Sequence, residues 1–392
     1  MSLRVYSLIY IIGSLISCFS SGNAGAPYVG RIITGLGIGA LSVISPMAIS
    51  EIAPPAFRCL MTLWFTICML SGQAVGVFLV YGCSINVAPT TALQYQFPWF
   101  SHTFAPALSI IFTFWAEESS RWLLLDHEYD KSLAALVRLR GLPANAEFVA
   151  TEFNSMAYHI EDRNAGLGNN SSIQIIRETF LANTITNFLP TIFGMIGVTD
   201  SGVKVYSTGL YTVAKWVCCV AASLFFIDLA GRRKYLMIGI SVQILCHSYL
   251  AGYLKIYQTN KEHVSKNSTD AALTFIYIHA FGWAIGLYSL PYLFGAELWP
   301  NKIRSFGGAL SQCFHWLFYF AIPKVAPSML ANIHQWGAFI LFIVFCMVAL
   351  LYTYFMVPET AGMSLEEISR ILRPLVLLAR PLKPSDEFES TQ

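Results

Sequence analysis

Charge is what this sequence has least of. Only 12% of its 392 residues are Asp, Glu, Lys or Arg, whereas soluble domains carry roughly 25%. That is too few to cover a water-facing surface. The net charge of +2, with no basic patch interleaved with stacking aromatics, excludes a nucleic-acid partner. Cysteine pairing is missing as well. The nine cysteines (Cys18, Cys59, Cys68, Cys83, Cys218, Cys219, Cys246, Cys313 and Cys346) are odd in number and form no CxxC. Neither a disulfide framework nor a zinc site is indicated. No glycine-rich stretch runs into GK[ST], which excludes a phosphate-cradling loop. No paired carboxylates, HxxE or HxxH cluster or nucleophile elbow falls at an expected membrane surface, so the chain does not read as an enzyme, and no cofactor is implied. A signal peptide of the usual form is not present either. The first apolar run starts directly after Arg4 and continues to Phe19.

What is present is apolar length. Hydrophobic residues make up 55% of the chain and aromatics 14%, with mean hydropathy +0.56. A helix crosses a bilayer with about 20 mostly apolar residues. Such runs cover 5–21, 28–50, 60–82, 97–116, 203–227, 235–256, 271–294, 305–330 and 335–357, and a shorter, more polar run at 179–197 is a tenth. The stretch 117–178 differs: Glu117, Glu118, Arg121, Asp126, Glu128, Asp130, Lys131, Arg138 and Arg140 make it hydrophilic. Its spacing of Leu123, Ala134, Leu136, Val137 and Leu139 predicts short amphipathic helices. The tail 358–392 is polar, with a short helix expected after Ser364 around Glu366 and Glu367. The expected organisation is a four-helix bundle over 1–116, a linker over 117–178, a second bundle over 179–357 whose first helix is short, and a tail over 358–392.

Loop charge predicts the orientation, because Lys and Arg collect on the cytoplasmic side. With the linker inside, Arg58, Arg232–Arg233–Lys234, Lys302, Arg304, Arg370, Arg373 and Arg380 all fall inside too. Lys204, Lys255, Lys261, Lys266 and Lys324 fall outside. This alternation holds only if 179–197 also crosses the membrane, so ten crossings are expected. Of the glycosylation sequons, Asn267-Ser268-Thr269 lies outside and can be modified. The overlapping pair at Asn169 and Asn170 lies inside and reads as chance.

Two stretches share one layout. Residues 46–58 read PMAISEIAPPAFR and 291–304 read PYLFGAELWPNKIR. Each closes an apolar helix with a Glu, then Pro, then Arg seven residues after the Glu. One copy, Glu51 with Arg58 or Glu297 with Arg304, is explained by charges snorkelling to the interface. Two copies at matching places point to an internal repeat of the kind transporters use. The turn Asp228-Leu229-Ala230-Gly231-Arg232-Arg233-Lys234 adds a carboxylate and arginines at the same membrane face, where opposite charges can close a pathway in one state and release it in another. Lys215 stands apart. It lies midway along 203–227 with no other charge within a turn. A charge there costs at least ~2.5–3.5 kcal/mol on insertion scales and by default marks function. Attraction of an anionic solute such as a carboxylate is the functional reading, and a lysine snorkelling or facing a polar cavity is the bland one. Glycines at 35, 37, 39, 307 and 308 are expected to let helices approach closely.

Five segments in order carry a resemblance: GRIITGLGIGA (30–40), SEIAPPAFR (50–58), DLAGRRK (228–234), GAELWPNKIR (295–304) and PETAGMSLEE (358–367). They resemble the sugar-porter family of the major facilitator superfamily, and within it the fungal quinate and sugar permeases. The resemblance implies an all-α polytopic membrane protein of two helical bundles, with a central substrate site and alternating access. By that comparison about ten of twelve helices are expected, lacking the first two and part of the seventh. Where the family reads Gln-Gln-x-Ser-Gly-x-Asn, this chain reads RETFLAN (177–183), keeping Asn183. The family's Pro-Glu-Ser-Pro-Arg reads Glu117-Glu118-Ser119-Ser120-Arg121.

Carried over by position, the resemblance implies substrate contacts from Asn183, Tyr292 and Trp316. His315 stands beside Trp316 in place of an asparagine, and Lys215 joins them on physical grounds. It implies a gating network of Glu51, Arg58, Glu118, Arg121, Arg232, Arg233, Glu297 and Arg304. Arg31 matches an arginine concerned with coupling. The leading expectation is an integral, plasma-membrane transporter of a sugar or a quinate-like polyhydroxy acid, with protons as a candidate co-substrate and the linker and C-terminus cytoplasmic. The competing expectation is a truncated, non-transporting relative or a nutrient sensor.

Overall fold

The structure, a computed structural model, describes residues 2–20, 23–54, 57–88, 90–165, 201–225, 231–259, 265–288, 304–357 and 359. Every regular element among them is helical. The first four helices are α1 (Ser2–Cys18), α2 (Gly25–Ile52), α3 (Arg58–Asn86) and α4 (Leu93–Phe112). Three shorter ones follow: α5 (Ser120–Leu125), α6 (Tyr129–Arg140) and α7 (Glu147–Ala165). The remainder are α8 (Ser201–Phe225), α9 (Arg232–Thr259), α10 (Lys266–Gly282), α11 (Arg304–Asn332) and α12 (His334–Met356). α10 runs directly into a π-helical turn, Trp283–Tyr288. The predicted crossing at 179–197 lies outside the described residues.

Four of these helices are long and apolar enough on their own to cross a membrane: Gly25–Ile52, Leu60–Asn86, Arg232–Thr259 and Trp336–Phe355. α4, α8 and α11 are also long and carry polar side chains along their apolar runs. Lys215 and Thr212 of α8 are buried while Val217 and Leu224 face out. The outward faces are oily: Phe104 is 71% and Phe355 74% exposed, which suits a lipid solvent and not water. α4 begins and ends four residues before the predicted run, leaving Phe114 and Trp115 in an exposed turn. Arg4 of α1 marks that end, donating to the Thr113 carbonyl at 2.7 Å and lying over the Phe114 ring.

α1 packs against α2 and α4, α3 against α8, and α9 against α10 and α12. Small residues make the closest of these approaches. A Cβ on Gly30 would sit 2.7 Å from the Gly13 carbonyl oxygen, and one on Gly37 would sit 2.8 Å from the Tyr10 amide nitrogen. A Cβ on Gly239 would meet the Gly286 Cα at 2.6 Å, so α9 touches the π-turn backbone to backbone. The expectation for Gly35 and Gly39 is corrected: both face open space, and the α1–α2 contact uses Gly13 and Gly30 instead. Gly308 makes only ordinary contact with Val43. The linker helices form a small core of their own from Leu124, Leu136, Val149 and Met156. α6 stops where Gly141 adopts a left-handed conformation, a position that favours glycine.

Candidate functional site

Lys215 is fully buried, at 0% exposure. It stands fourteen residues into α8, about 20 Å along the axis at 1.5 Å per residue, close to the middle of the helix. Its Nζ lies 4.3 Å from the centre of the Trp283 ring and 5.3 Å from that of Tyr211. Aromatic faces offer a cation the negative side of their quadrupole. Trp283 is itself stacked on Tyr288, with ring centres 4.2 Å apart, across the π-turn. That turn thus places two aromatic rings where a regular helix would separate them. One turn nearer the start of α8, Tyr211 shares a 2.8 Å hydrogen bond between its hydroxyl and His279 Nδ1. Gln243 of α9 donates to the His279 carbonyl at 2.9 Å, and the His247 ring lies 5.3 Å from that of His279. Three helices therefore surround one buried polar cluster. Of its members only Lys215 was legible in the sequence.

α11 presents a second polar face. Trp316 donates its indole N–H to Ser42 Oγ of α2 at 3.2 Å, so the predicted substrate aromatic is engaged in a cross-bundle contact. His315 lies edge-on to Trp316 and stacks on Tyr319. Within one turn, Ser311 Oγ and Gln312 Oε1 are enclosed and have no partner among the described residues.

At the linker end of the helices, termini are capped by side chains of the sign their dipoles favour. Glu359 accepts from the backbone N–H groups of Arg232 at 2.9 Å and Arg233 at 3.2 Å, the first two residues of α9. Gly231 directs them: its φ is +87°, and a Cβ there would lie 2.7 Å from Glu359 Oε2. The Arg233 guanidinium donates to the Tyr354 carbonyl. Arg140 grips both Glu152 oxygens, at 2.7 and 2.9 Å, and donates to the Ile52 carbonyl at the end of α2 at 2.9 Å. Glu359, which sequence reasoning left out, holds the backbone of the Gly-Arg-Arg turn. Glu51 lies in the last turn of α2 and Arg58 opens α3. Glu118 precedes α5 and Arg121 lies within it, and Glu117 pairs with Arg138 at 3.4 Å. Arg304 begins α11. Arg31 lies near the start of α2 with its guanidinium 5.1 Å from the centre of the Trp99 ring. Asn183, Tyr292 and Glu297 lie outside the described residues.

A cavity of about 400 Å³ opens between α3, α4 and α8, lined by Gly72, Gln73, Gly76, Pro98, His102 and Thr208 among others. Of the predicted substrate residues that are described, Lys215, His315 and Trp316 do not line it. Beside it the α3–α8 seam joins the first four helices to the last five. Its links are Tyr81 against Tyr206, Phe78 against Gly209, Trp216 Nε1 donating to Ser71 Oγ at 2.7 Å, and Thr66 Oγ1 with Cys219 Sγ at 3.9 Å.

This architecture has counterparts. The profile described as "Sugar (and other) transporter" matches residues 1–372. The chain belongs to that family. It is 27% identical over 397 residues to a quinate permease of Neurospora terricola, covering 94% of this chain and 74% of that one. It is also 27% identical over 391 residues to a quinate permease of Emericella nidulans, covering 93% and 73%. Among solved structures, a major facilitator proton:xylose symporter, XylE, bound to 6-bromo-6-deoxy-D-glucose, superposes with TM-score 0.81 at 19% identity. That match covers 94% of this chain and 82% of that one. The fold is therefore the two-bundle major facilitator fold, in a family of membrane transporters. The relatives are named as permeases, which is a transport class and not an enzymatic one.

Proposed function

We propose that this protein carries a polyhydroxy carboxylic acid of the quinate type, or a related sugar, across the plasma membrane by alternating access. The observation that carries the reading is Lys215: an ammonium group fully buried close to the middle of α8 against Trp283 and Tyr211. A cation in that position is costly and by default functional. A cation there would draw an acidic solute, and the aromatic rings beside it keep the site dry. The unpartnered Ser311 Oγ and Gln312 Oε1 add hydrogen-bonding groups of the kind a hydroxyl-rich solute needs in a dry site. Asn183, Tyr292, His315 and Trp316 complete the proposed substrate set. The relatives named quinate permeases support the choice of an acid over a neutral sugar.

In this proposal the bundles span 1–116 and 179–357, joined by a cytoplasmic linker over 117–178, and the tail 358–392 is also cytoplasmic. Rocking of the bundles is gated by Glu51, Arg58, Glu118, Arg121, Arg232, Arg233, Glu297 and Arg304, together with Glu359. The test is uptake of radiolabelled quinate and xylose into proteoliposomes holding the purified full chain. Saturable quinate uptake that unlabelled quinate competes away, and that Lys215→Met reduces at least tenfold, is expected. Equal quinate counts with and without protein would refute the reading.

A further inference from the structure

The first four helices also meet the later ones where α11 lies against α2. Two contacts mark that line. A Cβ on Gly308 would sit 3.6 Å from Val43, and Trp316 gives its indole N–H to Ser42 Oγ at 3.2 Å. Gly308, Gln312 and Trp316 follow one another at intervals of four, so they share one face of α11. Gln312 is therefore held between the two contacts, on the side turned to α2, and Ser311 adjoins it. The pair stands seven and eight residues beyond Arg304, the start of α11, about 10–12 Å along the axis.

What singles the pair out is hydrogen bonding left undone. A Ser or Thr hydroxyl inside a helix can satisfy itself on a carbonyl three or four residues back. This chain does so repeatedly: Ser42 to Gly39 at 2.8 Å, Ser71 to Ile67 at 2.9 Å, Ser223 to Val220 at 2.9 Å and Thr353 to Ala349 at 2.7 Å. Ser311 does not, although its Oγ is enclosed, and the enclosed Gln312 Oε1 has no donor among the described residues either. Enclosed polar atoms are costly to leave unpaired, so two neighbours in that state point to a ligand that completes them. On α2, Pro46 has no N–H to offer the carbonyl of Ser42, the residue that meets Trp316. The α2–α11 line is thus rich in acceptors.

The chemistry of the ligand follows from those atoms. An amide carbonyl oxygen only accepts, and a serine hydroxyl both donates and accepts. A carboxylate cannot satisfy Gln312 Oε1, whereas an O–H can. Resting on the transport reading above, we propose that Gln312, with Ser311, reads the solute's hydroxyl groups and makes the transporter reject analogues in which one of them is replaced by hydrogen. One solute hydroxyl donates to Gln312 Oε1, and a second shares a hydrogen bond with Ser311 Oγ. A deoxy analogue leaves Oε1 enclosed and still unpaired, which sets it apart from the full solute by about 10- to 100-fold.

The experiment measures uptake of labelled quinate into proteoliposomes holding the full chain. The competitors are unlabelled quinate and its monodeoxy analogues, each lacking one ring hydroxyl. In wild type at least one analogue should need about 10- to 100-fold more than quinate for half-inhibition. Gln312→Met keeps the length of the side chain and removes the acceptor. It should raise the quinate KM about tenfold and bring that analogue within about threefold of quinate. Val43→Ala loosens the same α2–α11 contact without touching a polar atom, and should keep the wild-type ratio. If water alone meets these oxygens, every analogue competes like quinate in wild type, which overturns the proposal. Retention of the wild-type ratio in Gln312→Met overturns it too, as does loss of the ratio in Val43→Ala. Should Gln312→Met show no uptake, Ser311→Ala decides: a ratio lowered about threefold or more supports the assignment, and an unchanged one overturns it. Each of these outcomes leaves quinate transport standing, whereas wild type without saturable uptake overturns both.

Discussion

Replacing Glu359 with alanine removes both acceptors from the first two amides of α9, which helix geometry leaves without any intrahelical partner. Each bond is charge-assisted, a class worth ~1.5–3 kcal/mol, and the helix dipole adds about 0.3–1 kcal/mol. Glu359 is only half-buried, so water replaces part of what is lost. A net cost of about 2–3 kcal/mol for opening this turn is reasonable, a roughly 30- to 150-fold rise in the local opening constant at tenfold per 1.4 kcal/mol. Amide hydrogen exchange on the detergent-purified protein reads it directly at Arg232 and Arg233. Glu359→Gln keeps one carbonyl acceptor and loses the charge, so about tenfold faster exchange is expected there. The amides of α12 upstream of Tyr354 serve as the internal reference. Unchanged exchange at Arg232 and Arg233 in Glu359→Ala would show that water caps the helix equally well, and the reasoning about this end of the pathway would fail.

Lys215→Met should raise the apparent KM for quinate at least tenfold while altering xylose competition little, and Lys215→Arg should fall between; equal effects on both solutes would argue against an anion site. Gly239→Ala forces a methyl into the Gly286 backbone and should destabilise by about 1–3 kcal/mol, read as a lower melting temperature by intrinsic fluorescence. Trp216→Phe and Ser71→Ala each lose one hydrogen bond across the α3–α8 seam, about 0.5–1.5 kcal/mol; a double-mutant cycle should show coupling, and strict additivity would deny the contact. Arg140→Ala should release α7 from α2, giving faster proteolytic nicking between residues 141 and 165 than in wild type.

The described membrane helices were legible as long apolar runs, and where their ends are described the structure moves them by only a few residues. α4 shifted by four residues at each end, since its aromatic run continues past the point where Arg4 takes the Thr113 carbonyl, a contact 109 residues away in sequence. Lys215 was legible because a charge in an apolar run stands out without any partner being known. His247, His279 and Gln243 were not, because each taken singly is an ordinary polar residue in a helix. Only the packing of α8, α9 and α10 makes them one cluster. Glu359 escaped for a similar reason: its partners lie 126 and 127 residues upstream, and they are backbone amides, which no side-chain pattern reveals. The left-handed Gly231 that aims those amides is visible in the sequence only as a glycine before two arginines.

The seam between α3 and α8 has a mechanical consequence. Its four rungs, from Tyr81 opposite Tyr206 down to Thr66 opposite Cys219, are spread over most of both helices. Prising the pair apart at either end would sacrifice several rungs together. Rolling one helix on the other, like a pencil on a pencil, disturbs each only slightly. A tilt that keeps this line closed would therefore cost least, and in the proposed transport cycle an opening to either side of the membrane would form away from this seam.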